Sequence, residues 1–418
     1  MSSSGRSPGR LSSSLCRALV VVAATLSIFA WSRPAAAYPW MIRHGFDKCA
    51  SCHTDPMGGE LLTGFGRVIS NTTLTTRYDG SNDPQRAAML FYGVAEPDWL
   101  RVGGSVRVMD ADYQFAQGKN PSKFDYFPMQ MDAYGQATIW RLRISASLGV
   151  GDATQGRIES RAAQITKASA NANGELTLIS RTHWIGYDVS DDVLIRAGRI
   201  NLPFGLRIPE HVMWVRNATR TDRESDQQDG VAIDYSHGRF RGEIMGIAGN
   251  YQISPDKFRE RGYSAYAEYM LSPHAAIGAS SLTTHAADDR FLVNGQGYTR
   301  GAHGLTARVS PVEPLVFMAE GDLLVSNQTL LGYVGMLQMD WEFVQGLHAM
   351  VTGEVLDQGE SAAANVSSTT GHGQPKFDQW LTFAWFFFTH FDFRTDLIIS
   401  EPTGVAPVTV LSQFHYYF

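Results

Sequence analysis

The sequence has few cysteines, few charges and only one long apolar stretch. Three of its 418 residues are cysteine, and 18% are charged. Cys49 and Cys52 lie close together and Cys16 lies near the start, so no disulfide framework is predicted. Beyond residue 37, no continuous apolar run reaches the ~20 residues that a membrane-spanning helix needs. The sequence therefore excludes both a disulfide-rich scaffold and a helical membrane protein.

Motifs for common enzyme chemistry are also absent. The chain has no glycine-rich phosphate loop, no H-E-x-x-H zinc motif and no G-x-S-x-G nucleophile turn. The formal net charge is −6, and the first 37 residues hold four arginines and no acid, so the remainder carries −10. A nucleic-acid-binding protein would show a basic surface instead. We predict neither an enzyme nor a nucleic-acid-binding protein.

The first 37 residues have the pattern of a cleaved export signal. Arg6, Arg10 and Arg17 form a basic start, residues 18–31 an apolar core and residues 35–37 a run of alanines. The apolar core is too short for a comfortable membrane span. We predict a signal peptide at 1–37, a second region at 38–97 and a third at 98–418.

The second region contains a C-x-x-C-H run from Cys49 to His53. In this motif two thiols bond covalently to a c-type haem and the histidine becomes the proximal iron ligand. A lone disulfide, a redox C-x-x-C or half a zinc site would show the same letters. Zinc needs two more ligands at suitable spacing, and a thioredoxin-like motif needs a βαβ context. We predict one covalent haem c, held by Cys49, Cys52 and the iron ligand His53.

The second axial iron ligand has several candidates. His44 lies five residues before Cys49, far enough for the chain to reach the distal face of a haem. Met57 lies four residues after His53, although the adjacent proline and glycines indicate a turn that leads away. Met41 and an open or water-ligated position are further alternatives. His44 is the first candidate for the distal ligand, and Met57 is the second.

The residues around this motif resemble a known family. The pattern is Arg43-His44-Gly45-Phe46, then C-x-x-C-H, then Pro56-x-Gly58-Gly59 and Leu62-x-x-x-x-Gly66-Arg67. It is similar to the amino-terminal segment of bacterial outer-membrane proteins that join a monohaem cytochrome c motif to a porin-like barrel. The resemblance covers about thirty residues. It implies a redox or electron-transfer role at the outer membrane.

From about residue 99 the hydrophobic pattern has a period of two. Between His390 and Ser400, apolar side chains alternate with Asp392, Arg394 and Asp396. Repetition of this pattern with aromatic-rich apolar faces is typical of a transmembrane β-barrel. We predict an all-β fold: an outer-membrane barrel of about sixteen antiparallel strands. The alternating last strand ends in Phe418, which resembles the insertion signal of outer-membrane barrels.

The connections between the predicted strands predict an orientation. Short links such as 190–192, 236–238, 272–274 and 344–346 fall on one side, and long polar links fall on the other. Bacterial barrels place short turns in the periplasm, so the segment with the haem motif starts on the periplasmic side. The predicted strands include one long strand at 126–149 and another at 155–166.

One long connection, residues 201–228, stands apart. Its Leu202-Pro203-Phe204-Gly205-Leu206-Arg207 resembles a segment of phosphate-selective porins. Such a loop either folds into the channel or points outward. The predicted lumen face carries charges of both signs. The positive ones are Arg101, Arg107, Arg141, Arg143 and Arg394, and the negative ones are Asp340, Glu342, Asp392 and Asp396. We therefore expect no strong ion selectivity.

Three functions are compatible with this sequence. The first is electron transfer at or across the outer membrane, with periplasmic or outer-surface cytochromes as partners. The second is passive solute transport, in which the haem segment is a plug, gate or redox sensor. The third is haem chemistry on peroxide, which requires an open distal position. Electron transfer is the leading prediction; the sequence predicts no oligomeric state.

Overall fold

Most of the third predicted region forms a single closed β-barrel. The computed structural model describes residues 38–46, 48–77, 84–91, 93–114, 123–152, 176–290, 295–328, 331–359, 375–401 and 408–418. Within them sixteen strands run antiparallel, each beside its neighbours in sequence, and the first pairs with the last. The predicted fold class is therefore confirmed. The predicted signal peptide lies outside the described residues.

The strands are numbered here in chain order. They are β1 Leu100–Gln114, β2 Lys123–Ile139, β3 Leu142–Asp152, β4 in two pieces at Leu176–Ile179 and His183–Asp188, β5 Val193–Ile200, β6 Gln228–His237, β7 Phe240–Gly249, β8 Arg261–Ser272, β9 Ala275–Ala286, β10 Tyr298–Val312, β11 Leu315–Ser326, β12 Gly332–Val344, β13 Leu347–Asp357, β14 Lys376–Phe388, β15 Phe391–Glu401 and β16 Val408–Tyr417. Both pieces of β4 pair with β3 and count as one interrupted strand.

The barrel wall follows the predicted alternation. On β12, Leu337 and Trp341 are 60% and 50% exposed on the outer surface, whereas Gln338 and Asp340 are 1% and 0% exposed. Outer side chains on the other strands are similarly apolar, among them Ile144, Ile244 and Leu381. Apolar side chains thus cover the outside of the barrel, and polar ones point inward.

One predicted strand is wrong. Residues 126–149 form a hairpin of β2 and β3 rather than a single strand, with its turn at Trp140 and Arg141. Trp140 has φ of 56°, a conformation that tight hairpin turns require but that residues other than glycine seldom adopt. No glycine, proline or asparagine marks this turn, so the alternating pattern predicted one continuous strand across it. The other strand in question, 155–166, lies outside the described residues.

All short turns lie at one end of the barrel. Two-residue links join β2 to β3, β6 to β7, β8 to β9, β10 to β11, β12 to β13 and β14 to β15, and a four-residue link joins β4 to β5. The start of β1 and the end of β16 lie at the same end. Long connections lie at the opposite end, as predicted. These are called the short-turn end and the long-loop end.

The helical elements are short. They are the α-helices Gly64–Ile69, Pro84–Ala87 and Trp214–Asn217, a π-helical turn Ser70–Leu74, and 3₁₀ turns at Pro39–His44, Cys49–Ser51 and Asp256–Phe258. Thr63 caps the helix Gly64–Ile69, since its side-chain oxygen accepts a hydrogen bond from the Gly66 amide at 3.0 Å. Among the described residues, no helix combines the length and apolar character needed to cross a bilayer.

Candidate functional site

Residues 38–77, called the amino-terminal segment, lie inside the barrel. Arg43 is fully buried and makes ion pairs with the lumen-facing Asp340 and, at 3.2 Å, Glu342. The Thr76 amide donates to the Phe386 carbonyl at 2.9 Å, near the short-turn end. The lumen acids Asp340 and Glu342 are therefore paired with the segment.

The C-x-x-C-H run folds into a compact turn. The amides of Cys52 and His53 both donate to the Cys49 carbonyl, at 3.1 and 2.9 Å. Gly66 packs so closely on this turn that an added Cβ would lie 2.2 Å from the Cys52 carbonyl oxygen. Gly58, with φ of 87°, leaves room beside the Cys49 side chain. The two glycines allow the turn and the helix after it to lie against each other.

Charged side chains of β5, β7 and β8 hold this turn. Arg241 donates to the Cys49 sulfur at 2.9 Å and to Glu268 at 2.9 Å. Two residues after His53, Asp55 lies 3.1 Å from Arg196, which also pairs with Glu243 at 2.7 Å. Because Arg196 and both acids are almost fully buried, the wall and the turn depend on each other for charge compensation.

The predicted ligand His53 has an unsatisfied nitrogen. Its Nδ1 is buried and has no hydrogen-bond partner. Burial, assisted by the nearby Arg223, lowers the pKa of His53 to about 4, so the imidazole is neutral at neutral pH. A neutral imidazole is the form that binds metals.

His53 lines a partly open space in the lumen, called the inner cavity. The centre of a water molecule can occupy about 90 Å³ of it. Four arginines and two glutamates are on its wall: Arg107, Arg181, Arg207, Arg223, Glu60 and Glu224. Burial lowers the pKa of Arg207 to about 10 and raises the pKa of Glu60 to about 7. Among the charged side chains that line the cavity, arginines therefore outnumber acids.

The three residues considered as distal ligands do not line the inner cavity. The His44 ring lies 3.5 Å from Glu313 and 3.4 Å from Glu342, near the short-turn end. Met57 lies on the Cys49 side of the turn, and Met41 is fully buried. The structure does not bring these side chains to the cavity that His53 faces. Distal ligation by His44 stays a prediction.

Two residues that sequence reasoning did not select do line the inner cavity. Tyr38 stacks on Trp40 with ring centroids 4.6 Å apart. His415 on β16 bonds to Asp392 at 2.8 Å and to Ser105 at 3.0 Å. The alternation of β16 placed His415 in the lumen, but no sequence spacing relates it to His53.

Residues 201–227, called the inward loop, fold into the lumen. The Gly205 amide donates to Ser280 and the Leu206 amide to Glu320, both at 2.8 Å. Arg216 pairs with Glu320, and the Trp214 amide donates to Glu354 at 2.8 Å. Of the two orientations that the sequence allowed, the loop adopts the inward one.

The inward loop meets the amino-terminal segment. Gly59 of the segment, with φ of 91°, lies so near Arg223 of the loop that an added Cβ would be 1.7 Å from a guanidinium nitrogen. Glu60 accepts a hydrogen bond from Thr182 at 2.6 Å and lies 3.5 Å from Asn201, the first residue of the loop. The segment and the loop therefore share one contact region beside the inner cavity.

Comparisons with known proteins identify the fold. No protein-family model and no curated protein sequence matches this chain. Among solved structures, the barrel is similar to the outer-membrane channel DcaP of Acinetobacter baumannii, with a TM-score of 0.53, 11% identity, and coverage of 76% of this chain and 97% of that one. OmpT of Vibrio cholerae has a TM-score of 0.55 and 9% identity, with coverage of 78% of this chain and 99% of that one. An anion-selective porin from Comamonas acidovorans has a TM-score of 0.51 and 12% identity, with coverage of 76% of this chain and 99% of that one.

These structures share the architecture of a porin. At 9–12% identity the likeness shows the fold, a closed sixteen-strand antiparallel β-barrel of the porin type.

Proposed function

We propose that this chain is an outer-membrane β-barrel protein that carries one covalent haem c in its lumen and transfers electrons there. The observation that carries the proposal is a C-x-x-C-H turn whose histidine lines a cavity inside the barrel. Cys49 and Cys52 would hold the haem through thioether bonds, and His53 would be the proximal iron ligand. A bound haem supplies a one-electron carrier; the protein binds it, orients it and excludes water around it.

Part of the inner-cavity lining fits such a group: His53 lies on its wall, whereas Cys49 and Cys52, which precede His53 in the same turn, do not line it. The neutral His53 imidazole has a nitrogen without a hydrogen-bond partner. Haem carries two propionate carboxylates, and four arginines line the cavity against two glutamates. The cavity thus offers a ligand for the iron and cations for the carboxylates.

The outer surface supports a location in a lipid bilayer. Exposed apolar side chains cover the outside of the barrel, and a closed barrel leaves no unpaired strand edge in lipid. By the usual orientation of bacterial barrels, the short-turn end would face the periplasm. The amino-terminal segment would then begin there, and periplasmic or outer-surface cytochromes would be the electron donor and acceptor.

A second candidate function is solute transport through a barrel that the haem segment plugs or gates. It is favoured by the filling of the lumen, since both the amino-terminal segment and the inward loop lie within it. An electron carrier requires the haem for activity, whereas a gated porin requires movement of the plug. Conductance and electron transfer can therefore be measured separately.

The haem itself is tested by expression in a bacterium that attaches c-type haems. We expect one haem per chain that stays with the protein after extraction with acidified acetone, and none in Cys49→Ala/Cys52→Ala. Heat-dependent migration in gels reports whether each barrel is folded. A folded wild-type barrel without covalent haem would overturn the proposal.

A further inference from the structure

A second space in the lumen, called the outer chamber, has no role in the proposed function. The centre of a water molecule can occupy about 240 Å³ of it. It shares six wall residues with the inner cavity, namely Tyr38, Arg107, Arg181, Pro209, Glu224 and His415. The two spaces therefore adjoin each other.

The outer chamber extends from the inner cavity toward the long-loop end. Along β15 its wall runs from Asp392 to Ser400, about 27 Å at roughly 3.4 Å per residue. On β1 the inner cavity is bounded by Gly104 and Ser105, and the outer chamber by Met109, which lies farther from the short-turn end. The chamber thus leads from the inner cavity toward the opposite end of the barrel.

Two parts of the chamber wall are apolar and aromatic. Trp380 on β14 and Met350 on the neighbouring β13 line one part of the chamber, whereas Phe127, Met109 and Met129 line another part on β1 and β2. Lumen-facing positions of a porin barrel are normally polar. Aromatic rings and thioether sulfurs form favourable contacts with flat aromatic molecules. The part at Trp380 and Met350 is suited to an aromatic ligand.

The rest of the wall is acidic. Six carboxylates line the chamber against three arginines: Glu210, Asp222, Glu224, Asp378, Asp392 and Asp396 against Arg107, Arg181 and Arg394. Most of these acids are paired, but Glu210 Oε2 and Asp378 Oδ1 are buried without a hydrogen-bond partner. Their residues are 9% and 6% exposed. A buried carboxylate oxygen is stabilised by a cation or a hydrogen-bond donor.

We propose that the outer chamber binds an aromatic cation, with its ring against Trp380 and Met350 on neighbouring strands and its charge toward Asp378, two residues from Trp380 on β14. The binding site consists of barrel residues and does not require haem. Because the chamber adjoins the inner cavity, a bound molecule would share the lumen with the haem, and that consequence alone rests on the proposed function.

The test uses the full mature chain in detergent micelles and two flat dyes of opposite charge. Methylene blue is a monocation, and indigo disulfonate is a dianion. We expect calorimetric titration to show saturable binding of methylene blue, at least about tenfold tighter than indigo disulfonate, which is 1.4 kcal/mol. Equal affinity for the two dyes, or no saturable binding of methylene blue, would overturn the proposal.

Two pairs of variants locate the site. Ala384 lines the chamber on β14, and Leu381 on the same strand is 57% exposed on the outer surface. Ala384→Phe should weaken methylene blue binding at least about tenfold because it fills the chamber, and Leu381→Phe should leave it unchanged. Asp378→Asn preserves volume and should weaken binding about fivefold, whereas Asp192→Asn on an exposed turn should not. Unchanged binding in both chamber variants would contradict the proposal.

The same titration separates this proposal from the proposed function. Cys49→Ala/Cys52→Ala should bind methylene blue as the wild type does, since neither cysteine lines the chamber. Binding without covalent haem in the wild type would support the chamber and overturn the proposed function. Covalent haem without binding of methylene blue would support the proposed function and overturn the binding site in the outer chamber.

Discussion

The amino-terminal segment and the inward loop both fill the lumen, but the barrel holds them differently. The segment carries the C-x-x-C-H turn, and buried arginines of the wall (Arg196 and Arg241) reach it from β5 and β7. The loop supplies its own arginine, Arg216, to an acid of the wall, and Glu320 also accepts from a loop amide. The wall uses both signs toward each part: it is cationic around the C-x-x-C-H turn but anionic at Arg43 of the segment, and Arg394 of the wall pairs with Glu210 of the loop. The difference is local, since wall cations reach the C-x-x-C-H turn and a wall acid holds Arg216 of the loop.

The largest expected effect is the release of the segment by Arg196→Ala. This substitution leaves the buried Asp55 and Glu243 without their shared cation, at a cost of about 3–5 kcal/mol. We expect a lower midpoint in urea unfolding and faster trypsin cleavage within residues 38–77. Arg143→Ala is the control, since its pair with Asp188 is partly exposed and should change stability by about 1 kcal/mol or less. Equal effects of both substitutions would show that the segment does not depend on this buried pair.

The corresponding change for the loop is Glu320→Gln. It keeps an acceptor for the Leu206 amide but removes the charge opposite Arg216, at a cost of about 1.5–3 kcal/mol. Release of the loop should raise single-channel conductance in planar bilayers without lowering haem content. Glu401→Gln, at an exposed end of β15, should change neither conductance nor haem content. If haem content fell together with the rise in conductance, the segment and the loop would be one unit.

A glycine substitution tests how tightly the C-x-x-C-H turn packs. Gly66→Ala places a Cβ 2.2 Å from the Cys52 carbonyl oxygen, and such overpacking costs about 1–3 kcal/mol. We expect a lower yield of haem-loaded protein because the substitution displaces Cys52. Gly135→Ala on β2 is the matched control, because an added Cβ there meets nothing within 4 Å. Equal haem yields in the two variants would mean that the turn tolerates displacement.

The smallest effect concerns pH and the contact between segment and loop. Burial raises the pKa of Glu60 from 4.5 to about 7, so the folded state favours the protonated carboxyl. This contribution to stability is complete below pH 4.5 and is lost as the pH rises through about 7. Trypsin cleavage of residues 38–77 should therefore accelerate between pH 5 and 8, and less so in Glu60→Gln. Identical pH profiles for the two proteins would exclude Glu60 as the group responsible.

The sequence allowed the barrel and the C-x-x-C-H turn to be predicted because both follow from local patterns. Alternation identified the strands except where Trp140 makes a turn without the usual turn residues. The sixteen predicted strands counted this hairpin once and included a strand at 155–166, which lies outside the described residues. The contacts within the lumen could not be predicted, since they join residues far apart in sequence.

A further signal in the strands was available. Met318, Met336 and Trp380 are apolar residues that point into the lumen and pack with Leu206 and Ile208 of the loop. A purely water-filled channel would not require apolar side chains on both faces of its strands. Such residues in a predicted barrel therefore indicate a lumen that is packed with chain. The position of the inner cavity depends on this packing, and therefore the cavity could not be predicted from the sequence.

The central claim, electron transfer through a haem in the lumen, is tested most directly in liposomes. The protein is inserted into vesicles loaded with a reduced dye, a ferric acceptor is added outside, and dye oxidation and solute leakage are recorded. Cys49→Ala/Cys52→Ala, inserted to the same level, is the comparison. We predict that dye oxidation requires the two cysteines and that leakage does not. Oxidation no faster than leakage allows in either protein would contradict electron transfer and favour a plugged or gated porin.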